Sequence, residues 1–267
     1  MRRDVLQLRR FYATPLGGAV RAMVGRKLEE AWGDAHGLDI LGLGYATPFL
    51  DGFIGARRVV AAMPAAQGVE AWPQGFRNRA ALMDEGGLAF ANALFDRILV
   101  AHGLEEADDP LGMLREVWRV LAPSGRVIIV AASRLGLWSD AEQTPFGHGR
   151  PYTRGQLEQL VREADFEPMA WSRALYAPPL GWTAGWAEGF EQIGSRLWPQ
   201  FSGLILLEAV KQTYALKPKA APALIRAAGA LRPAPAGPIF DPNVPCLEGP
   251  RDRPRYGRAR VKERLAP

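Results

Sequence analysis

Apolar, strand-like runs separated by helical segments constrain the fold of this chain most strongly. Four such runs cover residues 38–43, 58–63, 95–101 and 126–132. The last run, RVIIVAA, is the clearest, because it is rich in β-branched residues and follows a Pro-Ser-Gly turn that closes a helix. Strands that alternate with helices imply right-handed crossovers and a parallel sheet covered on both faces. The pattern therefore predicts an α/β fold.

Further elements extend this pattern at both ends. Apolar spacing predicts two N-terminal helices within residues 3–31, divided by Pro-Leu-Gly-Gly. A later helix has Thr153 as its N-cap, and strands at 166–172 and 201–216 follow it. Between these strands, apolar residues recur at helical spacing and predict one helix face. They are Trp182, Trp186, Phe190, Ile193 and Leu197. We expect this face to pack on the sheet rather than to cover an acceptor pocket.

Net charge and proline are concentrated near the C-terminus. Residues 251–264, RDRPRYGRARVKER, carry seven basic and two acidic side chains, which equals the +5 of the whole chain. Nine prolines fall between residues 217 and 254. We therefore expect a domain over residues 1–217 and a Pro-rich, basic, flexible tail over 218–267. The tail's charge suits nucleic acid or acidic lipid, but without a supporting basic face a solvated terminus is expected.

Other sequence features exclude several classes of protein. No apolar run approaches the ~18 residues that a membrane-spanning helix needs. The N-terminus has basic residues but no apolar segment typical of a signal peptide, which predicts a cytoplasmic protein. Cys246 is the one cysteine, so an intramolecular disulfide is excluded, and no Cys/His cluster has metal-ligand spacing. We expect no metal.

A glycine loop, LGLGYATP at residues 41–48, follows the first predicted strand. The dinucleotide fingerprint G-x-G-x-x-G fits Gly42 and Gly44 but meets Thr47 at its third place. The spacing G-x-G-x-G, used by loops that bind S-adenosylmethionine (SAM), meets Ala46, which adds only a methyl group. The SAM interpretation therefore departs less from its pattern. A nicotinamide oxidoreductase is disfavoured by Thr47 and by the absence of an acid that closes the second strand.

A longer motif follows at residues 88–130, LAFANALFDRILVAHGLEEADDPLGMLREVWRVLAPSGRVIIV. It resembles the pattern "LPF-x-D-x-S-FD-x-V", "H-x-LEH", "DP" and "L-x-E-x-x-RVLKPGG" of the class I SAM-dependent methyltransferases, in the branch that includes quinone-biosynthesis C-methyltransferases. The resemblance extends more thinly over residues 38–175. It implies a Rossmann-like, seven-stranded, mostly parallel sheet whose last strand is antiparallel. It also implies a SAM cofactor and a small-molecule acceptor.

The resemblance also implies the site residues. It places Gly42, Gly44 and Ala46 along the methionine part of SAM, Asp84 on the adenine, and Ala101 and His102 beside the methyl donor. Leu43 and Met63 belong to the same predicted cofactor site, and Tyr12 and Tyr45 lie where an aromatic ring would stack near the cofactor.

By its own chemistry, His102 is the candidate catalytic base, since its usual pKa lies near 6.5 and the fold directs it to the mouth of the cofactor site; the alternative is a helix-capping or structural histidine. The polar, glycine-rich loop at residues 138–153 carries His148, Arg150 and Tyr152 near the mouth of the sheet, which suits recognition of an acceptor or a lid; the alternative is a plain surface loop before a helix. Glu105 and Glu106 are explained by their position at a helix start alone.

Two departures from the family pattern suggest an alternative. The acid expected two residues before the first glycine is replaced by Ile40, with Asp39 one residue out of register. The acid expected at the end of the second strand is replaced by Met63, which costs SAM the charge-assisted hydrogen bonds of its ribose. The alternative is a pseudo-methyltransferase, a non-catalytic binding or regulatory protein that uses the fold for contacts with a protein partner.

Overall fold

A computed structural model of the protein describes residues 3–212, apart from a few side chains between residues 184 and 199. The predicted tail and Cys246 lie outside the described residues, and the domain boundary at residue 217 stays a prediction. Within the described part of the chain, no helix is long and apolar enough to cross a membrane.

The described residues form one seven-stranded sheet. Its strands are β1 (Asp39–Gly44), β2 (Arg58–Pro64), β3 (Ala80–Met83), β4 (Phe95–Ala101), β5 (Leu121–Ala132), β6 (Phe166–Ala174) and β7 (Leu204–Lys211). Their order is β3-β2-β1-β4-β5-β7-β6, and β7 alone among them runs antiparallel to its neighbours. The predicted α/β fold with a final antiparallel strand is confirmed. The strand β3 was not identified from the sequence, because its four residues, AALM, include no β-branched side chain.

Six α-helices accompany this sheet in the described residues. They are α1 (Val5–Tyr12), α2 (Pro15–Trp32), α3 (Thr47–Leu50), α4 (Pro110–Val120), α5 (Arg154–Glu163) and α6 (Ala187–Leu197). The predicted break between the first two helices, Pro-Leu-Gly-Gly at residues 15–18, lies within α2, and the break in the structure is at residues 13–14. Thr14 caps α2 by accepting a hydrogen bond from Gly17 N, and Pro15 takes the first helical position, where no amide hydrogen is needed.

The helices cover the two faces of the sheet unequally. The helices α4 and α5 pack on one face around Met113, Leu114 and Leu157. On the other face, the chain between β1 and β2 forms only the single turn α3, and residues 65–79 between β2 and β3 contain no helix. The N-terminal helices α1 and α2 cover this face instead, with Leu8, Val20 and others in its core.

The apolar stripe between β6 and β7 corrects one prediction. Its residues lie on the turn Gly181–Trp186 and on α6, as the spacing indicates. However, Trp182 is 70% and Trp186 is 72% exposed, and Ile193 and Leu197 are exposed as well. The stripe therefore does not pack on the sheet. Helical periodicity shows that a helix has an apolar face, but not which surface covers that face.

Candidate functional site

A crevice opens where the order of the sheet reverses, between β1 and β4. From β1 the chain continues to β2 on one side, whereas β4 continues to β5 on the other. Ligands of open α/β sheets bind at such a point, beyond the carboxyl ends of the strands. Gly44 and Ala101 end the two strands and are register partners. Tyr45 and His102, the next residues, therefore begin the walls of the crevice.

Close packing of the chain explains both glycines of the loop. Gly44 has φ +82°, and a Cβ atom added to it would lie 2.2 Å from Ala101 O. A Cβ on Gly42 would lie 2.7 Å from Leu50 Cδ1 and 2.9 Å from Ala46 Cβ. A bulky residue at position 44 would disrupt the junction of β1 and β4 whether or not SAM binds. Such a substitution is therefore no test of a cofactor site.

The helix α1 covers the crevice through Tyr12. Its ring stacks on Tyr45 with centroids 6.0 Å apart, and it meets Phe49 and His102 edge to face, both at 5.7 Å. The Tyr12 hydroxyl oxygen lies 2.6 Å from His102 Nε2. Three of the residues predicted for the site, Tyr12, Tyr45 and His102, are thus brought together, although they lie far apart in the sequence.

Contacts along its whole length hold α1 in place. At its start, Arg3 N donates to Glu106 Oε2 at 3.0 Å, and Val5 N donates to Gln67 O at 2.9 Å. In its last turn, Arg9 pairs with Glu70 at 3.8 Å. Leu8, between these ends, is 1% exposed. The helix therefore spans the ends of β2, β1 and β4 like a lid.

Buried oxygens without hydrogen-bond partners collect under α1. A cavity of about 10 Å³, the volume of one water molecule, lies among Leu8, Gln67, His102 and Glu105. Gln67 Oε1 and Glu105 Oε2 are buried acceptors without a partner, and Glu70 Oε2, beside Arg9, accepts no hydrogen bond either. A nucleoside needs far more room, so α1 must move before one can enter.

His102 differs from the base that its position predicts. It is 7% exposed, and burial lowers its pKa from 6.5 to about 3. Burial likewise raises the pKa of Tyr12 well above its usual value. Both groups are therefore neutral at pH 7 and are joined by one hydrogen bond. With α1 closed, His102 lacks the near-neutral pKa that was expected of it. Its role in catalysis stays a prediction.

Glu105 is the titratable group that sequence reasoning missed. Its position near a helix start suggested only an interaction with the helix dipole, yet it lies in a short 3₁₀ turn, Leu104–Glu106, and is 5% exposed. Burial raises its pKa from 4.5 to about 7, although Ala132 N donates a hydrogen bond to Oε1 at 3.2 Å. Burial, which decides this pKa, gives no signal in the local sequence.

The other predicted residues occupy different surroundings. Met63 is fully buried in the core, and Asp84 is exposed in a turn where it accepts from Gly86 N. His148 contacts the Arg3 guanidinium and lines the small cavity. Arg150 N donates to Glu105 O at 2.7 Å. His148 and Arg150 thus both lie near Glu105.

A second cavity, separate from the one under α1, is a groove of about 390 Å³ between α4 and α5. Arg150 and Tyr152 line it. Arg134 and Gln156 also border this groove, together with the acidic Asp109 and Glu163. The Tyr152 hydroxyl donates to Leu104 O at 3.4 Å, which links the groove wall to the turn that holds Glu105.

The sheet order and the crevice define the fold of class I SAM-dependent methyltransferases. Residues 38–129, about a third of the chain, match the family model described as a methyltransferase domain. An uncharacterized protein of Mycobacterium tuberculosis is 31% identical over 97 residues, which is 34% of each chain. The match thus spans about a third of that relative's length.

Solved structures agree with this fold. A SAM-dependent methyltransferase of Thermotoga maritima, described as a possible histamine N-methyltransferase, has a TM-score of 0.55 at 15% identity, over 78% of this chain and 96% of its own. A SAM-dependent methyltransferase of Mesorhizobium loti has a TM-score of 0.50 at 14% identity, over 70% and 96%. At these identities the likeness concerns the fold.

Proposed function

We propose that this protein is a SAM-dependent methyltransferase that acts on a small-molecule acceptor and binds its cofactor under α1. The observation that carries the proposal is that buried oxygens of Gln67 and Glu105 accept no hydrogen bond, and that Glu70 Oε2 has only the ion pair with Arg9 at 3.8 Å. Buried polar atoms are normally paired, and exceptions call for an explanation. Here a ligand rich in hydrogen-bond donors would supply one.

The donors of SAM suit these oxygens. Its ribose hydroxyls and its amino group can donate to Gln67 and Glu70, which follow β2, in place of the acid that the family has where Met63 stands here. The loop of Gly42, Leu43, Gly44, Tyr45 and Ala46, with Ala101 opposite, would line the methionine part. When bound, SAM supplies an electrophilic methyl group on a sulfonium. Asp84 remains a proposed contact of the adenine.

Glu105 is the group that can take a proton from the acceptor. With a pKa of about 7, its carboxyl is about half ionised at neutral pH and can accept a proton, whereas His102, with a pKa lowered to about 3, is too weak a base to accept one there. His102, beside the Tyr12 hydroxyl, would orient the acceptor. His148, Arg150 and Tyr152 would recognise the rest of the acceptor, since they border the turn that holds Glu105.

Calorimetric titration with SAM and with S-adenosylhomocysteine tests the proposal. The full chain is compared with Leu8→Ala, which loosens α1, and with Leu6→Ala, a control on the exposed side of the same helix. Removing the buried leucine costs about 2–5 kcal/mol of packing. If a part of this packing holds the lid closed, Leu8→Ala binds SAM about tenfold or more tightly, whereas Leu6→Ala binds like the full chain.

Limited proteolysis within α1 shows independently whether Leu8→Ala frees the helix. If α1 is freed and neither ligand binds at millimolar concentration, the proposal is wrong. The chain would then be a pseudo-methyltransferase. The filled crevice and the buried Met63 are the observations that favour this second function.

A further inference from the structure

An exposed apolar surface lies in the segment between β6 and β7. We name it the tryptophan surface, and it consists of Trp182, Trp186, Ile193, Leu197, Trp198 and Phe201. Each of these side chains is 40% or more exposed. Single exposed apolar residues are normal in soluble proteins, but six large ones within 20 consecutive residues indicate a binding surface.

The orientation of α6 shows that this exposure is built into the fold. On its inner side, Gly194 lies so close to Tyr176 that an added Cβ would be 2.4 Å from Tyr176 Cβ. Glu191 accepts a hydrogen bond from Tyr176 N at 3.2 Å. The helix therefore turns its glycine and its carboxylate inward. Ile193 and Leu197, one turn apart, face outward together.

The loop after β5 extends the tryptophan surface. A Cβ on Gly136 would lie 2.2 Å from Ser202 O, so this loop packs directly on the chain beside Phe201. Its Leu135 and Leu137 are 59% and 57% exposed. Residues 180–203 contain only three charged side chains, Glu188, Glu191 and Arg196. The surface is thus both apolar and poor in charge.

We infer that the tryptophan surface docks on a membrane that contains anionic lipid. Tryptophan favours the boundary between headgroups and acyl chains, where its ring is buried and its N–H stays hydrated. The second half of the attraction comes from residues 251–264, whose sequence carries +5 while the rest of the chain is neutral. An apolar face and a polybasic segment together give the two signals that stable peripheral binding requires.

A second copy of this chain is the competing occupant. Contact between two tryptophan surfaces would bury the same side chains, but it would leave the concentrated positive charge of residues 251–264 without a counterpart, because the rest of each copy is neutral. Anionic lipid satisfies both features at once, so the lipid surface is the better fit.

Flotation with extruded vesicles tests the inference on the full chain. Vesicles of phosphatidylcholine alone are compared with vesicles that also contain phosphatidylglycerol. The protein is expected to float with the anionic vesicles and much less with the neutral ones. Its tryptophan fluorescence should shift to shorter wavelength on binding. Salt should weaken the binding, because the charge contribution is screened.

Three variants separate the two signals. Trp182→Ser combined with Trp186→Ser should lower binding to anionic vesicles about tenfold or more. Arg258→Gln, Arg260→Gln and Lys262→Gln together should lower it similarly and reduce its salt dependence. Phe76→Ser is the matched control, because Phe76 is 80% exposed but lies in the loop after β2. It should bind like the unaltered chain.

Thermal unfolding checks that each variant is folded; this is expected for the tryptophan and Phe76 variants, because those side chains are exposed. The inference is overturned if the full chain ignores anionic vesicles, or if the tryptophan variant floats as well as Phe76→Ser does. A dimer in lipid-free light scattering that the tryptophan substitutions dissolve, without flotation of the full chain, would instead assign the surface to a second copy.

Discussion

The Tyr12 hydroxyl lies 2.6 Å from Nε2 of His102, in a hydrogen bond that joins residues 90 positions apart. Tyr12 ends α1 and His102 follows β4, so this bond fastens the N-terminal lid to the centre of the crevice. Both groups are buried and neutral. The bond therefore couples the position of α1 to the protonation of His102, the residue that the family resemblance places beside the methyl donor.

A double-mutant cycle measures this coupling. Tyr12→Phe removes the hydroxyl and leaves His102 Nε2 buried without its partner, which should cost about 1–3 kcal/mol of unfolding free energy. His102→Asn suits the φ of +50° at this position. In urea denaturation, we expect the two changes to couple by about 1 kcal/mol or more. Tyr12→Phe with Leu6→Ala is the control pair. If the changes in unfolding free energy are additive in both pairs, Tyr12 and His102 are not joined by the hydrogen bond.

The protonation of His102 can be followed by nuclear magnetic resonance. Folding lowers its pKa to about 3, so its contribution to stability is complete above pH 6.5 and is lost as the pH falls toward 3. The ring signals of His102 should therefore stay constant between pH 5 and 8 in the folded protein and titrate near 6.5 in urea. In Leu8→Ala, an open lid should raise the pKa. Titration near pH 6.5 in the unaltered folded chain would show that the closed crevice is hydrated.

Glu105 gives the opposite dependence on pH. Folding raises its pKa to about 7, so its contribution to stability is complete below pH 4.5 and is lost as the pH rises through 7. Glu105→Gln cannot lose a proton. Relative to the unaltered chain, this variant should gain about 2–3 kcal/mol in unfolding free energy between pH 4.5 and pH 8. Urea denaturation at both pH values checks this, and the difference at pH 4.5 serves as the reference. An equal difference at both values would show that Glu105 is hydrated.

Most of the sheet could be predicted from the sequence, because buried parallel strands consist of nearly continuous apolar runs. The strand at residues 58–63 and the cap at Thr153 agree with the structure to within a residue. The strand β3 could not be predicted, because its sequence pattern is too weak. It has only four residues and no β-branched side chain, and of the four only Ala80 is buried.

The candidate site could be predicted only in part. The glycine spacing and the segment around His102 locate the crevice, since both are continuous in the sequence. The lid could not be predicted, because the contact of α1 with His102 joins residues that only the folded chain brings together. The role of Glu105 could not be predicted for the same reason. Its raised pKa comes from burial in the folded chain, where it lies close enough to Tyr12 and Tyr152, both distant in the sequence, for its charge to raise their pKa values.

Two adjacent glycines in α2 should respond to alanine with opposite signs. A Cβ on Gly17 would lie 2.1 Å from Phe11 O, at the tight junction of α1 and α2, whereas a Cβ on Gly18 would meet no atom within 4 Å. Gly17→Ala should therefore cost about 1–3 kcal/mol, because backbone must shift. Gly18→Ala should gain about 0.5–1 kcal/mol from the higher helix propensity of alanine.

The urea midpoints of the two variants should move in opposite directions from that of the unaltered chain. Because Gly17 packs against the residue next to Tyr12, Gly17→Ala should also displace the lid and expose α1 to protease, whereas Gly18→Ala should not. Shifts of the same sign and size in both variants would show that the two helices do not meet as closely as Phe11 and Gly17 indicate. The seating of Tyr12 over the crevice would then lose its structural support.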